Sequence, residues 1–183
     1  MKGLTKVIFL SLGLGVLPVT ADQNNPELEL LLDSLHNTDN PAEAAALTQK
    51  IWENWYQTDN QRIRTLMNMG EVSIRRGKLK DAVAFFSEII ELQPDYAEGW
   101  NRRATVYYMM GEYQLSTNDV AETLQREPRH FGALSGQGMI YMQLQEKELA
   151  LEFYKKALEL NPHMSGVKQN IRMIRKLIQD EVI

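Results

Sequence analysis

Residues 63–96 read IRTLMNMGEVSIRRGKLKDAVAFFSEIIELQPDY. Leu66, Met69, Ser73 and Ile74 recur at helical spacing, and Gly77 ends the run. Leu79, Ala82, Val83, Phe86, Ile89 and Ile90 form a second helical stripe that stops before Pro94. Proline lacks the N–H that a helix interior needs, so it closes the unit. The pattern then returns twice without a gap. Pro94, Pro128 and Pro162 are 34 residues apart, as are Leu66, Trp100 and Leu134, and the small residues Gly70, Ala104 and Gly138. Ala82, Ser116 and Ala150 keep the same interval, as do Phe86, Val120 and Tyr154, and Ile90, Leu124 and Leu158. Gly77 and Gly111 match, with Gln145 in the third place. Three helical hairpins are therefore expected at 63–96, 97–130 and 131–164. One hairpin cannot bury its apolar face alone, so neighbours must stack. Gly70 is expected to face Ala82 or its neighbours where the two helix backbones come close.

These copies resemble tetratricopeptide repeats, whose pattern is W-x2-L-G-x2-Y, then A-x3-F, then P. The second copy shows Trp100, Tyr107, Gly111, Tyr113 and Pro128; the third keeps Gly138, Tyr141, Ala150, Tyr154, Ala157 and Pro162. The first keeps Gly70, Gly77, Ala82, Phe86 and Pro94 but has Ser73 where the family has tyrosine. Arg103 departs from the family's leucine, and Ser116 and Thr123 from its alanine. The resemblance implies an all-α, right-handed α-solenoid, and short exported proteins of this type imply a bacterial, periplasmic protein.

The flanks read as caps. Residues 22–62 hold a helical hairpin opened by Asn25-Pro26-Glu27 and, for its second helix, by Asn40-Pro41 with Glu43 in the first turn. Leu28, Leu31, Leu32 and Leu35 line the first helix; Ala44, Leu47, Ile51, Trp52 and Trp55 give the second a wide apolar face. Moved by 34 residues, Thr48 aligns with Ala82 and Trp52 with Phe86, so the segment is expected to be a degenerate half-repeat capping the stack. Trp52 and Trp55 are read as core or interface packing rather than a ligand-stacking pair. Residues 165–183 are expected to form a C-terminal capping helix, with Val167, Ile171, Ile174 and Ile178 on one side and Lys168, Arg172, Arg175 and Lys176 mostly on the other. That basic face is read as solvated, with cations near a helix C-terminus.

Residues 1–21 read as a secretory signal peptide. Lys2 and Lys6 precede the apolar run Val7 to Leu17, and Val19 and Ala21 are the small residues a signal peptidase reads. The run is too short for a comfortable membrane span, which needs about 20 residues. Cleavage after Ala21 leaves 162 residues with net charge −6, and no stable membrane anchor is then expected.

Composition narrows the chemistry. The 183 residues carry a formal charge of −4 and no cysteine, which excludes disulfides, thiolate metal sites and a cysteine nucleophile. The absence of a basic excess argues against nucleic acid as a partner. His36, His130 and His163 form no i, i+4 pair and no H-E-x-x-H, so no metal is expected. Ser135-Gly136-x-Gly138 lies inside a helix and is not a phosphate loop; its glycines are read as a close helix contact and a gap in the groove lining. No convergent nucleophile, base and oxyanion set appears, so neither catalytic residues nor a cofactor is expected.

In the family resembled, the first helices of the hairpins line a concave groove. That resemblance implies groove positions at Arg64, Met67, Glu71, Asn101, Arg102, Thr105, Tyr108, Ser135, Met139 and Met142, with Ile74 beside them. Some members grip a C-terminal carboxylate with lysine, asparagine and arginine. The matching positions here are Met67, Glu71, Arg102, Gly132 and Gly136, of which Arg102 alone fits the task. The sequence thus reads as a noncatalytic protein-interaction module, an exported scaffold or adaptor holding a protein or peptide segment over Asn101, Arg102 and Tyr108. The alternative is a self-assembling, homodimeric cell-envelope protein.

Overall fold

The computed structural model describes residues 26–181, and the expected signal segment lies outside them. Nine α-helices and no strands occur among the described residues: α1 Pro26–Asn37, α2 Pro41–Tyr56, α3 Gln61–Arg75, α4 Leu79–Leu92, α5 Ala97–Met110, α6 Tyr113–Arg126, α7 Phe131–Gln143, α8 Lys147–Leu160 and α9 Ser165–Glu181. None is long and apolar enough to cross a membrane. Helices α3 to α8 form three antiparallel hairpins, each packed on the next, and α9 packs on α8. The molecule is an α-solenoid.

Local chemistry sets the helix ends. Asn40 Oδ1 accepts from the N–H groups of Ala42 at 2.9 Å and Glu43 at 3.3 Å, and Asn60 caps α3 in the same way. The hairpin turns place Gly77 at φ 70° and Gly111 at φ 78°, where a Cβ is unfavourable. Gln145 occupies the third equivalent turn at φ 63°. The repeat register therefore imposes the left-handed turn even where the residue disfavours it.

Within the hairpins, small residues receive large ones. A Cβ built on Gly70 would lie 2.4 Å from Phe86, and one on Gly138 would lie 2.7 Å from Tyr154. Gly70 thus receives Phe86 rather than Ala82, one turn further along α4. The central hairpin solves the contact with intermediate volumes, Ala104 and Val120 in one cluster, and Ser116 Oγ donates to Ala104 O at 2.7 Å. Arg103 is explained here too. It makes a two-pronged bond to Asp119 at 2.7 and 2.9 Å and donates to Ser87 at 2.9 Å, tying α5 to both α6 and α4.

The expectation for the N-terminal hairpin is corrected. Helices α1 and α2 pack on each other, on α5, α7 and α8, and scarcely on α3. They do not cap the outer end of the stack; they lie across its concave side.

Candidate functional site: the concave side and the hairpin that fills it

The floor of this side is built by α5 and α7, and α2 lies on it by its aromatic face. The Trp55 ring stacks on the His130 imidazole, with centroids 4.0 Å apart and 13° between planes. Trp52 meets Trp55, His130 and Phe131 edge-on at 5.2, 5.4 and 5.8 Å. A Cβ on Gly132 would lie 2.6 Å from Trp52, so glycine at this place makes room for the indole. Leu28, Leu32, Leu35 and Ile51 complete one buried cluster with Phe131, joined by Leu160 and Met164. His36 Nδ1 bonds Glu159 O at 2.8 Å and fastens the end of α1 to α8.

Under Trp55 and Tyr56 lies a polar hub. The Glu98 side chain is fully buried, and its carboxylate meets Arg102 Nε at 3.0 Å, Asn101 Nδ2 at 3.0 Å and His130 Nε2 at 3.1 Å. Arg102 also reaches Glu71 at 3.1 Å and lies over the Tyr56 ring, 4.8 Å from its centroid. Burial pulls the Arg102 guanidinium down to about 10, so it stays charged at neutral pH. Burial holds the Glu71 carboxyl above its ordinary value, against the lowering pull of Arg75. His130 Nδ1 accepts the Ala133 N–H at 3.0 Å, capping α7, which leaves Nε2–H to donate to Glu98. The Glu98–His130 pair looks like an acid–base dyad, but both nitrogens are committed and both side chains are sealed from solvent. Its role is to hold α5 and α7 together beneath α2. Among the described residues, no group of three or more His, Cys, Asp or Glu side chains is placed to hold a metal.

The expected groove residues separate into two sets. Met67 is buried in the core between α3 and α4, and Met142 packs half-buried against the core cluster holding Ala150 and Tyr154. Asn101 is buried and bonded to Glu98, Arg102 is consumed by Glu98 and Glu71, and Arg64 bonds Gln61 and Thr58 locally. A partner segment lying on Asn101 and Arg102 is therefore corrected: both are covered or spent. What stays open is a small cavity of about 90 Å³ bordered by Thr105, Tyr108, Gly136 and Met139, and a larger cleft of about 760 Å³ between α2, α7 and the start of α9. Ser135 and Met139 line the larger cleft, and Met139 is shared by both. A Cβ on Gly136 would meet nothing within 4 Å, so that glycine does mark a gap. Sequence reasoning missed Glu98, His130 and Gly132 as the receiving surface for α2. The available signal was the apolar face of α2, wider than one neighbouring helix can cover.

The tetratricopeptide-repeat family model matches residues 63–96 and 132–164. A TPR repeat-containing protein of Rhizobium etli is 33% identical over 147 residues, 80% of this chain and 72% of that one. The Hsp70-Hsp90 organizing protein 2 of Arabidopsis thaliana is 26% identical over 58% of this chain but only 19% of its own length. The solved first TPR domain of Spaghetti (RPAP3), bound to the HSP90 peptide SRMEEVD, superposes with a TM-score of 0.63 at 21% identity, over 67% of this chain and 97% of that one. With three hairpins in register at 34-residue spacing and a relative of this identity and coverage, the chain belongs to the tetratricopeptide-repeat family.

Proposed function

We propose that the chain is a noncatalytic protein-interaction module, an exported scaffold or adaptor that holds an uncharged, apolar segment of a partner protein on its concave side. The observation that carries this reading is the 760 Å³ cleft beside α2, whose lining contains no Asp, Glu, Lys or Arg. Trp52, Met139 and Met164 give it a broad, adaptable apolar floor. Asn161 and Asn170 offer a few polar contacts, and His163 Nε2, on the same lining, is buried without a hydrogen-bond partner. An apolar cleft with few polar groups suits one apolar segment with a fixed orientation. The acidic peptide held by the Spaghetti domain is a poor guide to the ligand, because Arg102 is already paired with Glu98 and Glu71. The packing of Trp52 and Trp55 on α7 supports the idea that this side accepts helical, aromatic-bearing segments.

A photoreactive side chain at Met139 tests the reading, with Ala121 on the exposed face of α6 as control. One partner should be crosslinked from Met139 and not from Ala121, and Met139→Glu should lose it while melting normally. Equal capture by Met139→Glu removes the reading. Export and a periplasmic location belong to the same proposal and rest on residues 1–21. N-terminal sequencing of the protein from the periplasm should begin at Asp22; a cytoplasmic chain beginning at Met1 overturns that part.

A further inference from the structure

We propose that the cleft between α8 and α9, away from the concave side, is a second docking site that takes an acidic segment of a partner protein. The cleft measures about 460 Å³. Lys155 stands on its α8 rim, and Lys168, Arg172 and Arg175 stand on its α9 rim. Leu158 and Ile171 make an apolar floor, and Glu159 is the single acid on the lining. A site with an excess of three positive charges is thus built into a chain whose total charge is −4.

Stability of the fold does not account for these cations. Among the described residues, Lys155, Lys168, Arg172, Arg175 and Lys176 take part in no ion pair, whereas Arg62, Arg102, Arg103, Arg126, Arg129 and Lys156 each do. Lys168 with Arg172, and Arg172 with Lys176, are like-charged i, i+4 neighbours on one helix, an arrangement that destabilises it. The helix dipole favours acids in the first turn and bases in the last, but α9 has no acid in its first turn and no base in its last. Lys168 is only the fourth residue of this helix of 17, so the expected benefit of cations near a C-terminus is absent for it. Four cations converging from two helices on an apolar-floored cleft match carboxylates flanking an apolar side chain.

A bilayer fits the geometry less well. A membrane takes up an amphipathic helix by its apolar side together with its cations. The exposed apolar residues of α9, Met173 and Leu177, lie roughly 140–180° around the helix from Lys168 and Arg175 at 100° per residue. A surface that engages the cations therefore faces away from those apolar side chains.

The probe is a fluorescent synthetic peptide of repeated Glu-Glu-Leu, followed by anisotropy with the purified chain. Binding should weaken steeply as salt is added. The triple variant Lys168→Gln, Arg172→Gln, Arg175→Gln should bind at least tenfold more weakly, while Arg76→Gln with Lys80→Gln, at the α3–α4 turn, binds as the parent does. The triple variant should melt at or above the parent temperature, since it relieves repulsion. Mixed phosphatidylcholine and phosphatidylglycerol vesicles should not pull down the chain through these cations. Absent peptide binding, undiminished binding by the triple variant, a lower melting temperature for it, or vesicle binding that alone responds to the substitutions would overturn the proposal. Because Met139 and the concave cleft are untouched, none of these outcomes bears on the concave-side reading.

Discussion

The hairpin α1–α2 and the three hairpins from α3 to α8 are alike in local pattern, yet three of them stack and one turns back across the stack. The cause is the shape of one internal contact. In the first and third repeats a glycine recess, Gly70 or Gly138, receives an aromatic ring, Phe86 or Tyr154. The aromatic is absorbed inside its own hairpin, which leaves an outer edge that the next hairpin can cover. In α1–α2 the position matching Gly70 is His36, and the one matching Phe86 is Trp52. With no recess opposite it, the indole points outward and needs a pit elsewhere, which Gly132 and the His130 ring supply. A helical hairpin with an apolar face is not yet a repeat; the volume pairing inside it decides what it packs on.

Removing the ring that docks the odd hairpin should have the largest effect. Trp55→Ala should cost about 3–5 kcal/mol, the usual range for a buried aromatic truncated to alanine, and the loss should be local. Hydrogen exchange should rise throughout α1 and α2 while the amides of α3 to α8 keep their protection. Equal loss in both regions means that the hairpin is an integral part of one cooperative stack. Within the stack, Ala150 is fully buried, and Ala150→Trp should overpack the third hairpin at about 1–3 kcal/mol. An unchanged thermal melt counts against the 34-residue register.

The central hairpin offers a test of volume pairing. Val120→Phe alone should cost about 1–3 kcal/mol by overpacking. Adding Ala104→Gly recreates the glycine-and-ring pair of its neighbours, and a coupling of roughly 0.5–3 kcal/mol should return; strict additivity in denaturant melts removes the pairing argument. A smaller gain should come from Gln145→Gly, which relieves a left-handed backbone that costs about 1–2 kcal/mol for a residue with a Cβ, less the entropy that glycine adds to the unfolded chain. A lower melting temperature for that variant means that the Gln145 side chain offsets the strain.

The smallest effect concerns the hub beneath the hairpin. Glu71 has its folded pKa raised above 4.5, so the folded state holds the proton more tightly than the unfolded chain. Its contribution to stability is present below that value and is lost as pH rises through the raised one. Glu71→Gln should flatten the fall in stability on going from pH 4.5 toward neutrality in urea titrations. An unaltered slope shows that other carboxyls set it.

The register of three hairpins, their turns and most helix caps were legible in the residues alone, because each depends on neighbours within a few positions. Gly77, Gly111 and even Gln145 fall in equivalent left-handed turns, and Asn40 and Asn60 cap the helices they precede. The candidate site was legible only in part. Thr105, Tyr108, Ser135 and Met139 do border open space on the concave side, but Asn101 and Arg102 are engaged by Glu98 beneath the hairpin. Their availability turned on where α2 came to rest. That placement rests on Trp52 meeting Gly132, two residues 80 positions apart in the chain. Helical spacing is a short-range rule written along the chain, whereas the match between a projecting indole and a missing side chain exists only once distant surfaces are brought together.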